Sequence, residues 1–314
     1  MKINYIERTA CDVCGGQEFQ DEGSIRDFDT HLGDFRLIRC KKCGSMFTTP
    51  YPDAETLPNL YAERDSKNFD GGNASFFDMI KDILARREIR AYRRRLGLAP
   101  DDPVSFVDFG TGNGRYALAY KAVCPQAEVL AVDFASEPPA ALIAEHSHVP
   151  YMHTPEFFAD ERKFEICYMR HVLEHVDNPL AFLRKMLGKL ADGGSLILEV
   201  PNVRNGITRL FRAYSPSFYP PYHLHHFTGE NLKSLLDSLS LSLSLSPIEY
   251  SIFQTEMPFM SNLLANMLGE SLNNRHRAAG VLLHPIQMIV DACVGERAAL
   301  CAILTLHHSN FINR

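Results

Sequence analysis

The feature that most constrains this sequence is a glycine-rich turn between an apolar run and a helix-like run. Residues 104–115 read VSFVDFGTGNGR, in which the apolar run ends at Asp108 and is followed by Gly110, Gly112 and Gly114. The apolar run predicts a buried strand, and the apolar residues after the turn recur with helical spacing. Glycines allow a tight turn and leave room for a ligand beside a helix N-terminus. The stretch therefore predicts a strand–turn–helix unit that binds a ligand.

The spacing of the glycines, together with two acids, narrows the class of ligand. The pattern is G-x-G-x-G, whereas dinucleotide-binding turns have G-x-G-x-x-G, and no Gly-Lys-Ser/Thr of a phosphate-binding loop follows. The next predicted strand, residues 129–132, ends at Asp133. A carboxylate at that place can accept hydrogen bonds from both ribose hydroxyls of an adenosine. An ordinary strand-to-helix turn of some other α/β protein is the alternative.

The centre of the sequence alternates between strand patterns and helix patterns. Apolar strands are predicted at residues 164–169 and 195–200, with a helix from Pro179 between them. Repeated units of this kind predict an α/β fold, a doubly wound, mostly parallel sheet with helices on both faces. Ligands of such sheets bind outside the carboxyl ends of the strands. Four polar residues are expected at that edge: Asp108, Asp133, Arg170 and His171.

Four of the 8 cysteines form two Cys-x-x-Cys pairs near the N-terminus, Cys11/Cys14 and Cys40/Cys43, each followed by glycine. Two such pairs can form two tight turns that bind one ion through four thiolates, the arrangement that structural zinc prefers. A four-thiolate site has no open position for water, so we expect it to stabilise a small ribbon without taking part in catalysis. Redox pairs or free thiols are the alternative. The other cysteines are interpreted as buried, reduced thiols.

The order of strand, acid, G-x-G-x-G turn, helix, strand and acid resembles the cofactor half of the class I S-adenosylmethionine-dependent methyltransferases. A second stretch, RHVLEHVDNP followed by a Gly-Gly turn and LILEVPN, is similar to a subgroup often built with an N-terminal four-cysteine ribbon. The resemblance implies a Rossmann-like fold with an antiparallel last strand. It also implies S-adenosylmethionine as the cofactor, with Asp108 at its amino end and Asp133 at its ribose. The implied cofactor-binding residues are Asp108, Gly110, Thr111, Gly112, Asp133, Phe134, Arg170 and His171.

The region 201–228 is rich in aromatic, histidine and proline residues and follows a predicted strand, where an acceptor is expected to bind. Within it, YHLHHFT resembles the segment that carries the catalytic base in sugar-nucleotide C-methyltransferases. Matched residue by residue, the base falls on His223, with Tyr222 and His226 as further candidate catalytic residues. That group often has Glu directly before the base, so Tyr222 leaves its acid–base pair without a carboxylate. The implied partner is a small-molecule acceptor, a sugar or sugar nucleotide.

The sequence divides into a zinc ribbon (1–49), a linker and helix (50–96) and a methyltransferase domain (97–314) with a helical insertion at 255–296. The insertion could dimerise, cover the acceptor or simply pack, and the sequence does not choose among these. The alternating Leu-Ser run after Leu239 predicts a strand or an extended edge.

The composition limits the classes of partner and the compartment. A net charge of -6 argues against a nucleic-acid backbone as the main partner, and this disfavours an RNA methyltransferase. An apolar signal region at the N-terminus and an apolar run of the ~20 residues of a membrane helix are not evident, so we expect a soluble, cytoplasmic protein. Two alternatives stay open: an O-methyltransferase of another small metabolite, and a non-catalytic, cofactor-binding zinc-ribbon protein.

Overall fold

The computed structural model describes residues 3–30, 33–53, 55–56, 60, 76–143, 148–243 and 248–307. Most of the predicted linker, residues 50–75, lies outside the described residues. The strands are β1 (Tyr5–Ile6), β2 (Phe19–Arg26), β3 (Asp34–Cys40), β4 (Met46–Thr49), β5 (Tyr51–Pro52), β6 (Phe106–Phe109), β7 (Val129–Asp133), β8 (Tyr151–His153), β9 (Phe164–Arg170), β10 (Leu190–Pro201), β11 (His225–His226), β12 (Ile248–Thr255) and β13 (Ala299–Leu306).

The helices are α1 (Phe76–Arg95), α2 (Arg115–Val123), α3 (Ala140–Ile143), α4 (Thr154–Ala159), α5 (Pro179–Leu187), α6 (Gly206–Leu210), α7 (Gly229–Ser242), α8 (Met260–Leu268) and α9 (Asn274–Val294). Two 3-10 turns, Leu173–His175 and Arg212–Tyr214, lie in the connections after β9 and α6.

A seven-stranded sheet forms the centre of the fold, in the order β12-β13-β10-β9-β6-β7-β8. The five strands from β6 to β10 are parallel where they pair, and β13 is antiparallel to both β10 and β12. This confirms the predicted doubly wound, mostly parallel sheet with an antiparallel last strand. The strand order changes direction between β6 and β9, which places a crevice at their carboxyl ends.

The sheet is buried on both faces, as its nearly continuous apolar strands require. On one face α1 and α2 pack through Ala85, Ile89 and Tyr120, and on the other α5 and α7 pack through Leu183 and Leu235. Helices therefore cover both sides of the sheet and leave the strand ends as the place for a ligand.

The N-terminal ribbon shares a sheet with the central part of the chain. The order of this second sheet is β11-β4-β3-β2, and β11 pairs antiparallel with β4 through His225 opposite Phe47. A separate pair joins β1 to β5, with Tyr5 opposite Pro52. The ribbon strands thus continue beyond residue 49 and hold the segment after His223.

The prediction of a strand for the Leu-Ser run is wrong up to Ser242, because α7 continues through it. The helix begins at a capping box in which the Thr228 side chain accepts from Asn231 N–H and the Asn231 side chain accepts from Thr228 N–H. Its buried leucines lie at helical spacing: Leu232, Leu235, Leu236 and Leu239. Burial of this leucine face outweighs the local alternation of Leu and Ser. Residues 244–247 lie outside the described part of the chain.

The insertion consists of α8 and α9, as predicted. The two helices cross closely at Gly280, since a Cβ there would lie 2.6 Å from the backbone nitrogen of Ser261. Helix α9 is long and apolar enough to cross a membrane by length and composition alone, with 17% of its most apolar stretch buried. This length of apolar helix differs from the expectation that no stretch of the sequence could cross a membrane.

Candidate active site

Three predicted cofactor-binding residues lie side by side at the carboxyl ends of adjacent strands. Asp108 is on β6, Asp133 ends β7 and Arg170 ends β9, and β6 pairs with both of the other strands. The crevice at the change of strand order is therefore lined by two carboxylates and one guanidinium, which suits a ligand carrying both hydroxyl and charged groups.

The glycine turn connects β6 to α2 with positive φ at Gly110, Gly112 and Gly114. A Cβ at Gly110 would lie 2.4 Å from a methyl group of Val172, so only glycine fits this contact. By contrast, a Cβ at Gly112 would meet no heavy atom within 4 Å. The turn is thus packed against the protein at Gly110 and open at Gly112, where a ligand can approach the backbone.

Asp108 is buried and fixes the start of α2. Its Oδ2 accepts hydrogen bonds from the Thr111 hydroxyl at 2.6 Å and from the Ala117 N–H at 2.9 Å. Burial raises the pKa of Asp108 to about 6, although both hydrogen bonds act in the opposite direction. Because both bonds reach the same oxygen, Oδ1 is the oxygen that can receive a ligand.

Asp133 is held in the crevice by two backbone groups. Its Oδ2 accepts from the Gly112 N–H and its Oδ1 accepts from the Phe134 N–H, both at 2.7 Å. Each carboxylate oxygen keeps further acceptor capacity for a ribose hydroxyl. The neighbouring residue Phe134 is 55% exposed and offers a flat apolar surface.

Arg170 belongs to a partly buried polar network at the carboxyl end of β9. Its Nε donates to Glu199 Oε1 at 2.6 Å, and its Nη1 donates to the Tyr116 hydroxyl. Glu199 Oε2 also accepts from the hydroxyls of Tyr92 at 3.2 Å and Thr255 at 3.0 Å. Burial alone would raise the pKa of Glu199, but the Arg170 charge holds it below its usual value. The network fixes the guanidinium at the end of β9.

His171 follows Arg170 in a left-handed conformation, with φ of 54°. Its backbone N–H donates to the Glu199 carbonyl at 2.9 Å, and its side chain remains 29% exposed. Its Nδ1 lies 3.2 Å from Glu174 Oε1. The bend at His171 thus turns the chain from the cofactor crevice towards a second group of polar residues.

That second group surrounds Glu174, which is not among the site residues predicted from the sequence. Glu174 lies in the 3-10 turn after β9 and is fully buried (0% exposed). The Nε2 atoms of His223 and His175 lie 3.8 and 4.0 Å from its Oε1. The sequence did contain a signal for Glu174, since it is an acid between His171 and His175. Its contact with His223 could not be predicted, because His223 comes from a distant segment and no local pattern indicates the contact.

The predicted base, His223, is buried and its ring orientation is fixed. Its Nδ1 lies 3.0 Å from the Ser217 carbonyl, an acceptor, so Nδ1 carries the hydrogen and Nε2 presents a lone pair. Burial, followed by the neighbouring His175 and His226, lowers the pKa of His223 well below 6.5. The imidazole is therefore neutral and able to accept a proton at neutral pH.

Tyr222 and His226 hold the backbone on either side of His223. The Tyr222 carbonyl accepts from His175 Nδ1 at 2.9 Å, and the Tyr222 ring stacks on Tyr219. His226 Nε2 lies 2.8 Å from the Thr48 hydroxyl, and burial lowers the pKa of His226 to about 3. The structure thus brings the three predicted catalytic residues together on one buried segment.

The four ribbon cysteines also come together. Gly15 and Gly44 have positive φ, and their N–H groups donate to the carbonyls of Cys11 and Cys40 at 2.8 and 2.9 Å. These bonds form the two predicted tight turns. The Sγ atoms of Cys11 and Cys43 are 3.5 Å apart and those of Cys14 and Cys40 are 3.6 Å apart. A tetrahedral zinc–thiolate site, with bonds of about 2.3 Å, has sulfurs about 3.8 Å apart, so the cluster suits zinc.

Comparison with known proteins agrees with this geometry. A family described as a methyltransferase domain matches residues 82–243, just over half of the chain. Two curated relatives from Strobilurus tenacellus are similar: methyltransferase str3 is 29% identical over 178 residues, and methyltransferase str2 is 24% identical over 169 residues. These matches cover 51% and 50% of this chain and only 60% and 58% of the relatives' lengths.

Solved structures of the plantazolicin methyltransferase BpumL share the fold. Its complex with a triazolic desmethylPZN analog and SAH has a TM-score of 0.53 at 17% identity, covering 81% of this chain and 95% of BpumL. The complex with a monoazolic analog and SAH has a TM-score of 0.52 at 16% identity, covering 81% and 93%. Together with the family match and the arrangement of the crevice, these similarities show that the chain belongs to the class I S-adenosylmethionine-dependent methyltransferases.

Proposed function

We propose that the chain transfers a methyl group from S-adenosylmethionine to a small-molecule acceptor, a sugar or sugar nucleotide, with His223 as the general base. The observation that carries this proposal is the continuous path of side chains from the cofactor crevice to His223. His171 lies at the end of β9 and contacts Glu174 at 3.2 Å, and Glu174 lies 3.8 Å from His223. A methyl donor in the crevice and an acceptor beside His223 would therefore be neighbours.

We propose that the cofactor binds to the carboxylate oxygens of the crevice that can still accept hydrogen bonds and to the surfaces beside them. Asp108 Oδ1 would receive the amino group, Asp133 the ribose hydroxyls, and Phe134 one face of the adenine. Gly110, Thr111 and Gly112 would supply the close backbone surface, while Arg170 and His171 line the end near the methyl group. The open side of Gly112 and the exposure of Phe134 support this placement.

Bound S-adenosylmethionine supplies an activated methyl group on a positively charged sulfur. The protein's own part is to position the acceptor in line and to remove its proton. His223 suits the second task because its Nδ1 is bonded to a carbonyl and its Nε2 is the basic atom. We propose that Tyr222 and His226 act indirectly, by holding the backbone of the segment that carries His223.

For the ribbon, we propose a structural zinc ion bound by Cys11, Cys14, Cys40 and Cys43. The Sγ separations and the two glycine turns support this assignment. Because four thiolates leave no open position, the ion would stabilise the ribbon and take no part in methyl transfer. The division into ribbon, linker and methyltransferase domain, and the cytoplasmic location, stay predictions.

An O-methyltransferase of another small metabolite is the second candidate. It is favoured by Tyr222 at the position where the C-methyltransferase group often has Glu, because a hydroxyl acceptor needs only one base. In either case the chemistry uses the same crevice and the same imidazole.

The proposal is tested by measuring S-adenosylhomocysteine release with a panel of nucleoside-diphosphate sugars and simple sugars. Crystals grown with S-adenosylhomocysteine and then soaked in the best acceptor should place it beside His223. Release that needs a sugar and is lost in His223→Ala supports the proposal. An acceptor that binds in another part of the fold would overturn it.

A further inference from the structure

A buried carboxylate without a full set of partners lies at the centre of the proposed active site. Glu174 is fully buried (0% exposed), and its Oε2 has no hydrogen-bond partner among the residues that the structure describes. Leaving a buried polar atom unpartnered is unfavourable, so such an atom in a folded enzyme commonly has a role in chemistry or binding. The surroundings of Glu174 indicate which role.

Three imidazoles approach the other oxygen of this carboxylate. His171 Nδ1 lies 3.2 Å from Oε1, within hydrogen-bond distance, and His223 Nε2 and His175 Nε2 lie at 3.8 and 4.0 Å. The rings of His175 and His223 are in edge contact, with centroids 4.7 Å apart. The basic atom of His223, Nε2, therefore lies near the Glu174 carboxylate but is too far from it for a hydrogen bond.

The main chain builds this arrangement. The Leu224 N–H donates to the Glu174 carbonyl at 2.8 Å, which holds the residue after His223 against the 3-10 turn. The Tyr222 carbonyl accepts from His175 Nδ1 at 2.9 Å on the other side. The 3-10 turn is therefore held beside His223 at Glu174 and at His175, by backbone groups of the two residues that flank His223.

We propose that Glu174 is a positioning residue for His223, supplying a carboxylate from the 3-10 turn after β9 to the base on the segment before β11. This inference rests on the proposed role of His223. In the reaction, the acceptor's O–H or C–H bond breaks and its proton goes to His223 Nε2. The acceptor atom forms a bond to the methyl carbon, and the carbon–sulfur bond breaks with its electron pair left on a neutral thioether. The positive charge thus passes from sulfur to the imidazolium, which then faces Glu174 and loses its proton to water after product release.

A divalent cation held by Glu174, His175 and His223 is the alternative use of the same atoms. Ligand atoms about 2.1 Å from a tetrahedral ion lie about 3.4 Å apart. The observed separations of 3.8 and 4.0 Å are wider, and Oε1 already accepts a hydrogen bond from His171. These two observations argue against a bound cation and leave Glu174 as a carboxyl group near the lone pair of His223 Nε2.

Several groups determine how easily His223 takes that proton. Glu174, His171 and His175 face it from the 3-10 turn and the end of β9, His226 from β11, and Tyr219 from its own loop. Burial and the neighbouring histidines lower the pKa of His223. Glu174 is the carboxyl group near Nε2, and a negative charge at that place favours the protonated imidazole.

The experiment compares wild type with Glu174→Gln, Glu174→Asp and His223→Ala, using nucleoside-diphosphate sugars as acceptors. We expect Glu174→Gln to lower kcat by about 10- to 100-fold with little change in KM. The acid limb of its pH profile should move to lower pH, because the imidazolium loses its counter-charge. Glu174→Asp should restore part of kcat. Glu128→Gln is the matched control, since it makes the same charge change at an exposed side chain before β7.

A second readout needs no acceptor. In protein labelled at the histidine rings, NMR at acidic pH should show a smaller protonated fraction of His223 in Glu174→Gln than in wild type. If the Gln variant does not fold, Glu174→Asp decides by the same measurement, with a smaller change in the same direction.

Three results would overturn the inference. The first is a folded Glu174→Gln enzyme with the wild-type kcat and acid limb. The second is an unchanged protonated fraction of His223 in the NMR measurement. The third is a metal-dependent enzyme: a chelator inactivates the wild type, Mn²⁺ restores its activity, and the Glu174→Gln variant no longer binds Mn²⁺. An active His223→Ala variant contradicts the proposed function itself, whereas an inactive His223→Ala beside an unaffected Glu174→Gln contradicts this inference alone.

Discussion

The hydroxyl of Thr48 donates a hydrogen bond to the backbone carbonyl of His223 over 2.6 Å. Thr48 belongs to β4 of the ribbon, and its backbone N–H also donates to the Leu224 carbonyl at 3.1 Å. The proposed base is therefore held from one side by the ribbon and from the other by the turn that carries Glu174. The ribbon is part of the support of the candidate active site.

Replacing Thr48 with Val tests that support. The substitution leaves the His223 carbonyl and His226 Nε2 without their Thr48 partner, and a lost partner of this kind costs about 1–3 kcal/mol. We expect urea unfolding to show this loss and kcat to fall as well. Thr305→Val is the control, since it removes a hydrogen bond to Ser195 in the middle of β10, away from the carboxyl end of the strand, and should affect stability alone. Equal kcat values in the two variants would contradict the idea.

Replacing one of the proposed zinc ligands should affect catalysis more than cofactor binding. We expect metal analysis to find one zinc ion per wild-type chain and none in Cys40→Ser, and we expect β3 and β4 to loosen in the variant, because metal binding and folding are coupled in such sites. Turnover should fall, while calorimetry should find nearly the wild-type affinity for S-adenosylhomocysteine. Cys293, which was expected from the sequence to be buried, is exposed on α9, so Cys293→Ser should keep both zinc and turnover. A Cys40→Ser enzyme that contains no zinc and keeps full activity would contradict this prediction.

His223→Ala should separate binding from chemistry. Loss of a general base lowers the rate by about 100-fold or more, whereas the cofactor crevice does not include this side chain. We expect the affinity for S-adenosylhomocysteine by calorimetry to stay at the wild-type value. Turnover at the wild-type rate would remove His223 from the mechanism.

Asp133→Ala should weaken cofactor binding. A carboxylate that accepts hydrogen bonds from ribose hydroxyls contributes about 1.5–3 kcal/mol, so affinity should fall by roughly 10- to 100-fold. Asp133→Asn keeps the shape and one acceptor and should lose less. Calorimetric titration of both variants with S-adenosylhomocysteine measures the difference. Equal affinity of wild type and Asp133→Ala would speak against the ribose assignment.

The buried histidines predict a loss of stability in mild acid. Burial lowers the pKa of His225 and His226 from 6.5 to about 3 and lowers that of His223 as well. Below pH 6.5 the unfolded chain therefore binds more protons than the folded one. The free energy of unfolding then decreases as the pH is lowered. The slope should approach about 1.4 kcal/mol per pH unit for each histidine. Urea unfolding at about pH 7.5 and 5.5 tests this, and equal stabilities would contradict it.

The central sheet and the glycine turn could be predicted because their signals are local. A short apolar run, an acid and glycines at fixed spacing specify β6, the turn and α2 without knowledge of distant residues. The cysteine pairs are equally local, since each tight turn closes within one short stretch. These features depend on backbone conformation, which neighbouring residues determine.

Glu174 and Thr48 could not be predicted as parts of the site, because their roles arise from contacts between distant segments. Thr48 meets His223 across 175 positions of sequence. The Leu-Ser run is a second example in which contacts with distant residues decide the structure, here against the local pattern. Its alternation favours a strand, and only packing of Leu239 and its neighbours against the sheet makes it helical up to Ser242.

The pairing of β4 with β11 has a consequence for how such enzymes can be recombined. A cut after residue 49, where the predicted ribbon ends, would separate the two strands of one hydrogen-bonded ladder. A chimera that imports a foreign ribbon should therefore carry residues 223–228 from the same donor. Because the two segments share this ladder, they should be exchanged together and not one at a time.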